Sequence, residues 1–527
     1  MCQQYIINVD VLLFDTTNVQ QNKGGEAMIY HMYRKVDSSL ELGFYIEITG
    51  PLSEPELKQL QWLIAETFES GNTGIEPHIA ASEAVEIGPR LSIETPFSSN
   101  AVSICQAMGL RQITRIERTH RYAAGNSQSA DILKTRLDRM TEQHYQSGIE
   151  SFDTGTTPED VRVIDLMGRG KAALEEMNSA LGLGMDARDI EYYQHLFAEV
   201  LRRNPTDVEL FQLGNANSEH SRHWYFKGQI VIDGTPMQET LFEIVQRPLK
   251  NLGSENSSLV AFRDNAGVIK GFGTRLILPI TPGKPSEMRI LEKVVHITCT
   301  AETHNHPTFV APFPGAQTGA GGRIRDNSAV GRGGIVGIGV AGYFVGNLFI
   351  PGYQIPGEVV GKDKPSKYAS PLSILIEGSN GVSSYGNQFG EPLTVGFTRT
   401  FGQVVGSEWR EPRKPILYSG GVGHLFDGHT AKEESEVGML IVRIGGPAYP
   451  IGVGGGSASS MMQGQNTESL DFNSVQRGNA EMENRANRVI RACIEMGDSN
   501  PISSIHDQGA GGPSNVLTEL LEPLGGK

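Results

Sequence analysis

Apolar positions along the chain change their period several times, and each change marks a different kind of structure. Near the start, Phe44 to Ile48 forms an apolar run of strand length. After it, Leu57, Leu60, Leu63, Ile64 and Phe68 recur at helical spacing; Ser53 and Glu56 form a capping box ahead of them, with Pro55 in the first turn. These features predict a small α/β domain over 1–162. A run of short helices is predicted next, over 163–226: Lys171 to Leu181 stopped by Gly182, then Ile190 to Leu201 with Tyr193, Leu196, Phe197 and Val200 on one side. A third opens at the Thr206/Glu209 capping box. From 227 the pattern turns β-rich and glycine-rich and continues past a boundary near Leu425 to Val437. Gly445 to Met462 reads as a glycine loop and Met482 to Met496 as a helix. No short-period repeat or low-complexity tract is present.

Size and charge narrow the class. A chain of 527 residues is too long for one ordinary core, so several packed domains are expected. With 45 Lys+Arg against 60 Asp+Glu the net charge is −15, and no basic run offsets it, which argues against nucleic acid or a membrane as partner. The four cysteines lie far apart with no C-x-x-C pair, and the first residues lack a secretory pattern; a reducing, cytoplasmic setting is expected. Gly333 to Gly357 carries no charge, but its glycines, Asn347 and Pro351 fit buried strands better than a lipid-facing helix.

Three polar clusters carry candidate chemistry. The first is Asn217-Ser218-Glu219-His220-Ser221-Arg222-His223. If the preceding helix persists, His220 and His223 at i, i+3 share one face. The second begins at Thr300 with A-E-T-H-N-H-P and continues into Gly315, Ala316, Gln317, Thr318, Gly319, Ala320, Gly321, Gly322, Arg323, Ile324, Arg325 and Asp326. Read as a glycine-rich loop, it turns backbone N–H groups toward phosphate oxygens, while Arg325 forks onto a phosphate and Asp326 holds a bridging metal. It is not a Walker loop, since no Gly-Lys-Ser/Thr follows, and the G-x-G-x-x-G at Gly337, Gly339 and Gly342 lacks room for its helix. The third cluster, Ser503 to Gly512, reads as a strand delivering Asp507 to a site rim, where Mg2+ is a natural ligand. Zinc held by His304, His306 and a linker histidine ranks below Mg2+, because the neighbouring donors are hard oxygens.

In order along the chain, N-S-E-H-S-R-H, A-E-T-H-N-H-P, T-G-A-G-G-R-I-R-D, Y-G-N-Q-F-G-E-P, G-V-G-G-G-S-A-S-S, D-F-N-S-V-Q-R-G-N and H-D-Q-G-A-G-G resemble the phosphoribosylformylglycinamidine synthases, also called formylglycinamide ribonucleotide amidotransferases. The likeness is to the large single-chain type and includes G-P-R-L-S near Gly88 and D-R-M-T-E near Asp138. It implies an α+β fold: a small N-terminal domain, a helical linker, and an aminoimidazole-ribonucleotide-synthetase-like body, with its first lobe over 227–436 and the opening of a second over 437–527. It further implies an N-terminal portion lacking the second synthetase half and the glutaminase.

The implied activity is that of an ATP-dependent ligase of purine biosynthesis, converting formylglycinamide ribonucleotide to the amidine with ammonia from glutamine. By motif match, His304 resembles the proton acceptor and His220 a second active-site histidine. Glu302, Asp326 and Asp507 resemble Mg2+ ligands. The 315–326 segment with Thr300 and His223 resembles nucleotide-binding ground, and Thr303, Asn305, Arg325 and Gln476 resemble substrate contacts. Ser221 stands where many bacterial relatives carry Cys, and His223 where small-type relatives carry Tyr. The alternative is a non-catalytic nucleotide-binding or assembly module that keeps the motifs as fold elements.

Overall fold

A computed structural model of the chain describes residues 4–9, 28–65, 67–125, 128–155, 157, 159–359, 368–446, 455–461, 466–476, 478–509, 511–522 and 524. It divides into two compact units, one of 14–159 and one made of 1–13 with 160–527.

The smaller unit is an antiparallel sheet in the order Thr73–Gly74, Met28–Lys35, Leu40–Ile48, Ile113–Ala123, Ala84–Pro89, Glu142–Tyr145. Alternation along the central strand sorts its faces. Leu42, Phe44, Ile46 and Ile48 pack with Leu60, Ile64 and Cys105 of the helices Glu54–Ile64 and Pro96–Ala107. On the opposite face, Tyr45 joins Tyr145, Ile149 and Phe152, and Arg121 pairs with Glu41 and Glu86. The capping box of Ser53 and Glu56 forms as predicted. Phe68, assigned to the same apolar face, lies beyond the helix end at Ile64 and is exposed.

In the larger unit the predicted short helices form. Lys171–Leu181 ends at Gly182, whose φ of 61° is left-handed, and Asp207–Ala216 is opened by the Thr206/Glu209 box. Between them, Ala187–His195 runs on into a π turn, Leu196–Leu201. Leu174, Ile190, Tyr193, Phe197 and Leu210 close a small core. Val200, placed on the apolar face by a 3.6-residue period, is exposed, because the wider π turn shifts its direction.

The body is a six-stranded sheet in the order Ser258–Val260, Gly267–Pro279, Met288–Thr303, Ile416–Phe426, Ile335–Val345, Leu393–Thr400. Its neighbours pair antiparallel except the last two, which are parallel. A parallel pair needs a crossover, and the helix Pro371–Phe389 supplies it. Of the uncharged stretch Gly333 to Gly357, Ile335–Val345 is a sheet strand, as its glycines indicated, and 346–357 runs on in turns and loop. One face of the sheet is covered by Pro371–Phe389 and Pro312–Ser328, with Ala316, Ala320, Ile324, Tyr343, Tyr385 and Leu417 in a shared core. A second sheet orders Leu440–Gly445, Gln4–Val9 and Ile502–Asp507. The first predicted domain, 1–162, includes Gln4–Val9, whereas both ladder partners of that strand lie in the larger unit. The helix Ala480–Glu495 matches its prediction. Of the glycine loop at Gly445 to Met462, half lies outside the described residues, and its described part contains a short helix, Gly455–Ser460.

A longer prediction is also overturned. The segment 315–326 is not a loop; it lies inside the helix Pro312–Ser328. Its glycines serve close approach. A Cβ at Gly315 would overlap the backbone of Pro307 and Thr308, and one at Gly319 would overlap the imidazole of His304. Burial against the sheet and the crossover helix outweighs the roughly 1 kcal/mol that each glycine costs a helix.

Candidate active site

Helical geometry decides which of the twelve residues 315–326 reach the cavity. Thr318, Gly319, Gly322, Arg325 and Asp326 fall on one side of the helix and line a cavity of about 530 Å³. Gly315, Ala316, Gln317, Ala320, Gly321, Arg323 and Ile324 do not line it. Arg323 was expected on a nucleotide; it is fully buried and paired with Glu391, while Ile324 belongs to the core. Thr300 also stays off the lining, two residues up the strand from Glu302. The backbone of this segment is in helical bonding, so it does not form the predicted cradle of free N–H groups.

The remaining predicted residues converge on that one cavity: His220, His223, Glu302, Thr303, His304, Asn305, Gln476 and Asp507. The strand Met288–Thr303 delivers Glu302 and Thr303, and the turn into the helix Asn305–Val310 sets His304. Asp507 ends the strand Ile502–Asp507, as its apolar-then-acid pattern indicated. His220 and His223 meet the cavity without sharing a helix face. Asp207–Ala216 ends before them, His220 sits on the single turn Glu219–Arg222, and His223 terminates it at a φ of 54°, uncommon for a residue with a Cβ.

Asn265 links the acids: its Nδ2 donates to Asp326 Oδ1 at 3.1 Å and to Asp507 Oδ1 at 2.9 Å. Arg325 Nε stands 3.4 Å from Asp507 Oδ2, and its Nη1 is 3.7 Å from Glu483 Oε2. Burial, with the charges of Asp507 and Glu302, holds the Asp326 carboxyl well above the usual range; burial likewise raises Glu302 and Asp507. Burial also pushes Glu483 up to about 7, against the pull of Arg325. Three crowded carboxyls of raised pKa are a donor set that a hard divalent cation would neutralise. Among the described residues, however, no group of three or more His, Cys, Asp or Glu side chains is arranged to hold a metal ion.

His304 is the most constrained base. Its Nδ1 lies 2.8 Å from Thr308 Oγ1, and its Nε2 is buried without a hydrogen-bond partner. Burial, opposed by the nearby peptide of Gly315, lowers its pKa to about 4. His220 Nδ1 is 3.2 Å from Ser459 Oγ and 3.3 Å from Ser460 Oγ. Desolvation in the cleft, then the charges of Lys414 and His223, lower its pKa. Asn305 Oδ1 accepts from the Leu417 N–H at 2.8 Å, so its carbonyl serves the sheet as well as the site. Sequence reading missed Asn265, Lys414, Ser459, Ser474, Asn515 and Glu519 on the cavity wall. Ser459 and Ser474 lie inside G-V-G-G-G-S-A-S-S and D-F-N-S-V-Q-R-G-N, where no role was drawn for them; Asn265, Lys414, Asn515 and Glu519 are single residues outside those motifs, and only the fold brings them there.

An α+β body carries this acidic, histidine-bearing cleft, and residues 436–525, which supply Asp507, match the model "AIR synthase related protein, C-terminal domain". Residues 41–151 match "Formylglycinamide ribonucleotide amidotransferase N-terminal", and 174–223 match the linker domain of the same family. A probable phosphoribosylformylglycinamidine synthase of Arabidopsis thaliana, chloroplastic/mitochondrial, is 46% identical over 98% of this chain and 37% of its own length. The Dictyostelium discoideum phosphoribosylformylglycinamidine synthase is 48% identical over 93% of this chain and 38% of its own, and the human protein 46% over 90% and 36%. The chain belongs to the phosphoribosylformylglycinamidine synthase family and spans 36–38% of the length of these relatives. A solved phosphoribosylformylglycinamidine synthase II of Thermotoga maritima is 20% identical, with a TM-score of 0.37 over 62% of this chain and 39% of that one.

Proposed function

We propose that this cleft binds ATP and formylglycinamide ribonucleotide and carries the phosphorylation and amination by which the amide becomes an amidine. An amide is a weak electrophile. Transfer of a phosphoryl group to its oxygen makes an iminophosphate with a good leaving group, and ammonia, derived from glutamine, then displaces phosphate.

The carrying observation is the convergence of His304, with a buried and unpartnered Nε2, and three crowded carboxyls on one cavity. Its volume of about 530 Å³ lies in the usual range for small-molecule sites. In the tautomer whose Nδ1–H donates to Thr308, Nε2 holds the free lone pair, and a pKa of about 4 keeps the ring neutral at pH 7. It accepts the proton lost as ammonia attacks; His220 stabilises charge at the mouth. Thr303, Asn305, Arg325 and Gln476 orient the substrate. Thr318, Gly319, Gly322 and His223 form nucleotide-binding ground. Glu302, Asp326 and Asp507 are not arranged as a ready-made metal site, so they would have to draw together to hold Mg2+, which when bound would offset charge on the transferring phosphoryl group.

The test is phosphate release from ATP that requires both the ribonucleotide and ammonia, measured in the enzyme carrying these residues. His304→Gln is expected to lower it about a hundredfold or more, and Asp326→Asn to lower it with loss of metal dependence. Turnover unchanged in both variants would end the catalytic reading.

A further inference from the structure

The cleft contains a cation that lies outside the motifs quoted above. Lys414 precedes the central strand Ile416–Phe426 and lines the same cavity as His220, His304 and Arg325. Its Nζ donates to the Ser459 carbonyl at 3.3 Å, and among the described residues no carboxylate stands within ion-pairing distance of it. The acid that most affects it, Asp471, is engaged elsewhere. One oxygen of Asp471 accepts from Tyr368 Oη at 2.8 Å, and the other accepts from Asn466 Nδ2 at 2.8 Å and faces His306 Nε2 at 3.4 Å.

A partly buried ammonium with a neutral carbonyl as its protein partner is costly unless a counter-charge arrives. The cleft is also polarised. Glu302, Asp326 and Asp507 make up one acidic group, while Lys414 stands with Ser459 beside His220, whose pKa the lysine charge depresses. A phosphoryl group suits such a division, because its oxygens can accept from an ammonium on one side and share a divalent cation with carboxylates on the other.

We propose that Lys414 is an anion-binding residue of the cleft, donating to a phosphate oxygen of the bound ligand. Two sources offer that oxygen: the polyphosphate of ATP and the 5′-phosphate of formylglycinamide ribonucleotide. The assignment rests on the proposed function, and the experiment separates the two. Wild-type chain, Lys414→Gln and Lys414→Arg are titrated calorimetrically with Mg-ATP and, separately, with the ribonucleotide, and their thermal melts are compared. Loss of one charge-assisted bond is expected to weaken one ligand about tenfold in the Gln variant. The other ligand should change less than about twofold, a range set by the scatter of remote substitutions. The Arg variant should retain most of the affinity, and the loss should narrow as salt is raised. The affected ligand identifies the phosphate. If wild type binds and the Gln variant binds both ligands equally well, or loses both together with a lowered melt, Lys414 is part of the wall and the assignment is overturned while the proposed function stands. If wild type binds neither ligand, the proposed function fails and the assignment with it.

Discussion

Gly319 shows how much one missing carbon decides. The His304 ring lies where a Cβ at 319 would be, so alanine there must displace the imidazole from its bond to Thr308. Gly319→Ala is expected to lower ammonia-dependent phosphate release by about the hundredfold attributed to a proton acceptor. Because the effect passes through His304, adding Gly319→Ala to His304→Gln should change little further; a full additional loss would show that Gly319 acts on something else. A second residue-scale expectation concerns Arg323 and Glu391, both fully buried and paired. Removing one partner strands a charge, so Glu391→Gln should cost about 3–5 kcal/mol, read as a lowered denaturation midpoint. Sequence reading placed Arg323 on the nucleotide together with the rest of the 315–326 segment, read as a loop, although only Arg325 was given a phosphate. Which arginine faces the cavity is settled by helical phase, and a loop reading had no phase to use.

At the scale of elements, local signals were the most legible. The capping boxes at Ser53/Glu56 and Thr206/Glu209, the left-handed stop at Gly182 and the strand ending at Asp507 all formed as read. They could be read because each is an interaction among residues a few positions apart. The glycine-rich helix could not be read, since its stability comes from burial against partners distant in sequence. The linker offers a test of a local device. Bonds from Arg203, then from the Thr206 backbone, lower the Glu209 pKa to about 2 against an ordinary 4.5. A depressed folded-state value means the stabilisation is complete above pH 4.5 and is lost as pH falls toward 2. Glu209→Gln should therefore destabilise the linker at pH 7 and have little effect near pH 2. Denaturation midpoints at the two pH values check this, and an equal deficit at both would refute the assignment.

For the molecule as a whole, the body sheet presents a second face on which described apolar side chains are exposed. Ile277 and Ile290, paired in register on its two longest strands, and Val294 on the same face are exposed, Ile277 and Ile290 at 65%. Exposed apolar side chains on a sheet face favour association. The chain is expected to self-associate on sedimentation at micromolar concentration, and Ile290→Asp, which leaves the inner core untouched, should shift it toward smaller species. Monodisperse, concentration-independent wild type would contradict this.

What the sequence determined by itself was the class of structure, the local starts and stops, and the roster of acids and histidines, because composition, period and short motifs are properties of neighbours along the chain. Only the tertiary structure decided the rest: that a glycine-rich loop is a helix, that five of its residues face a cavity while Arg323 is buried behind it, and that Asn265 and Lys414 join the wall. Those outcomes depend on which surfaces bury one another, and residues separated by hundreds of positions carry no shared local pattern to announce it.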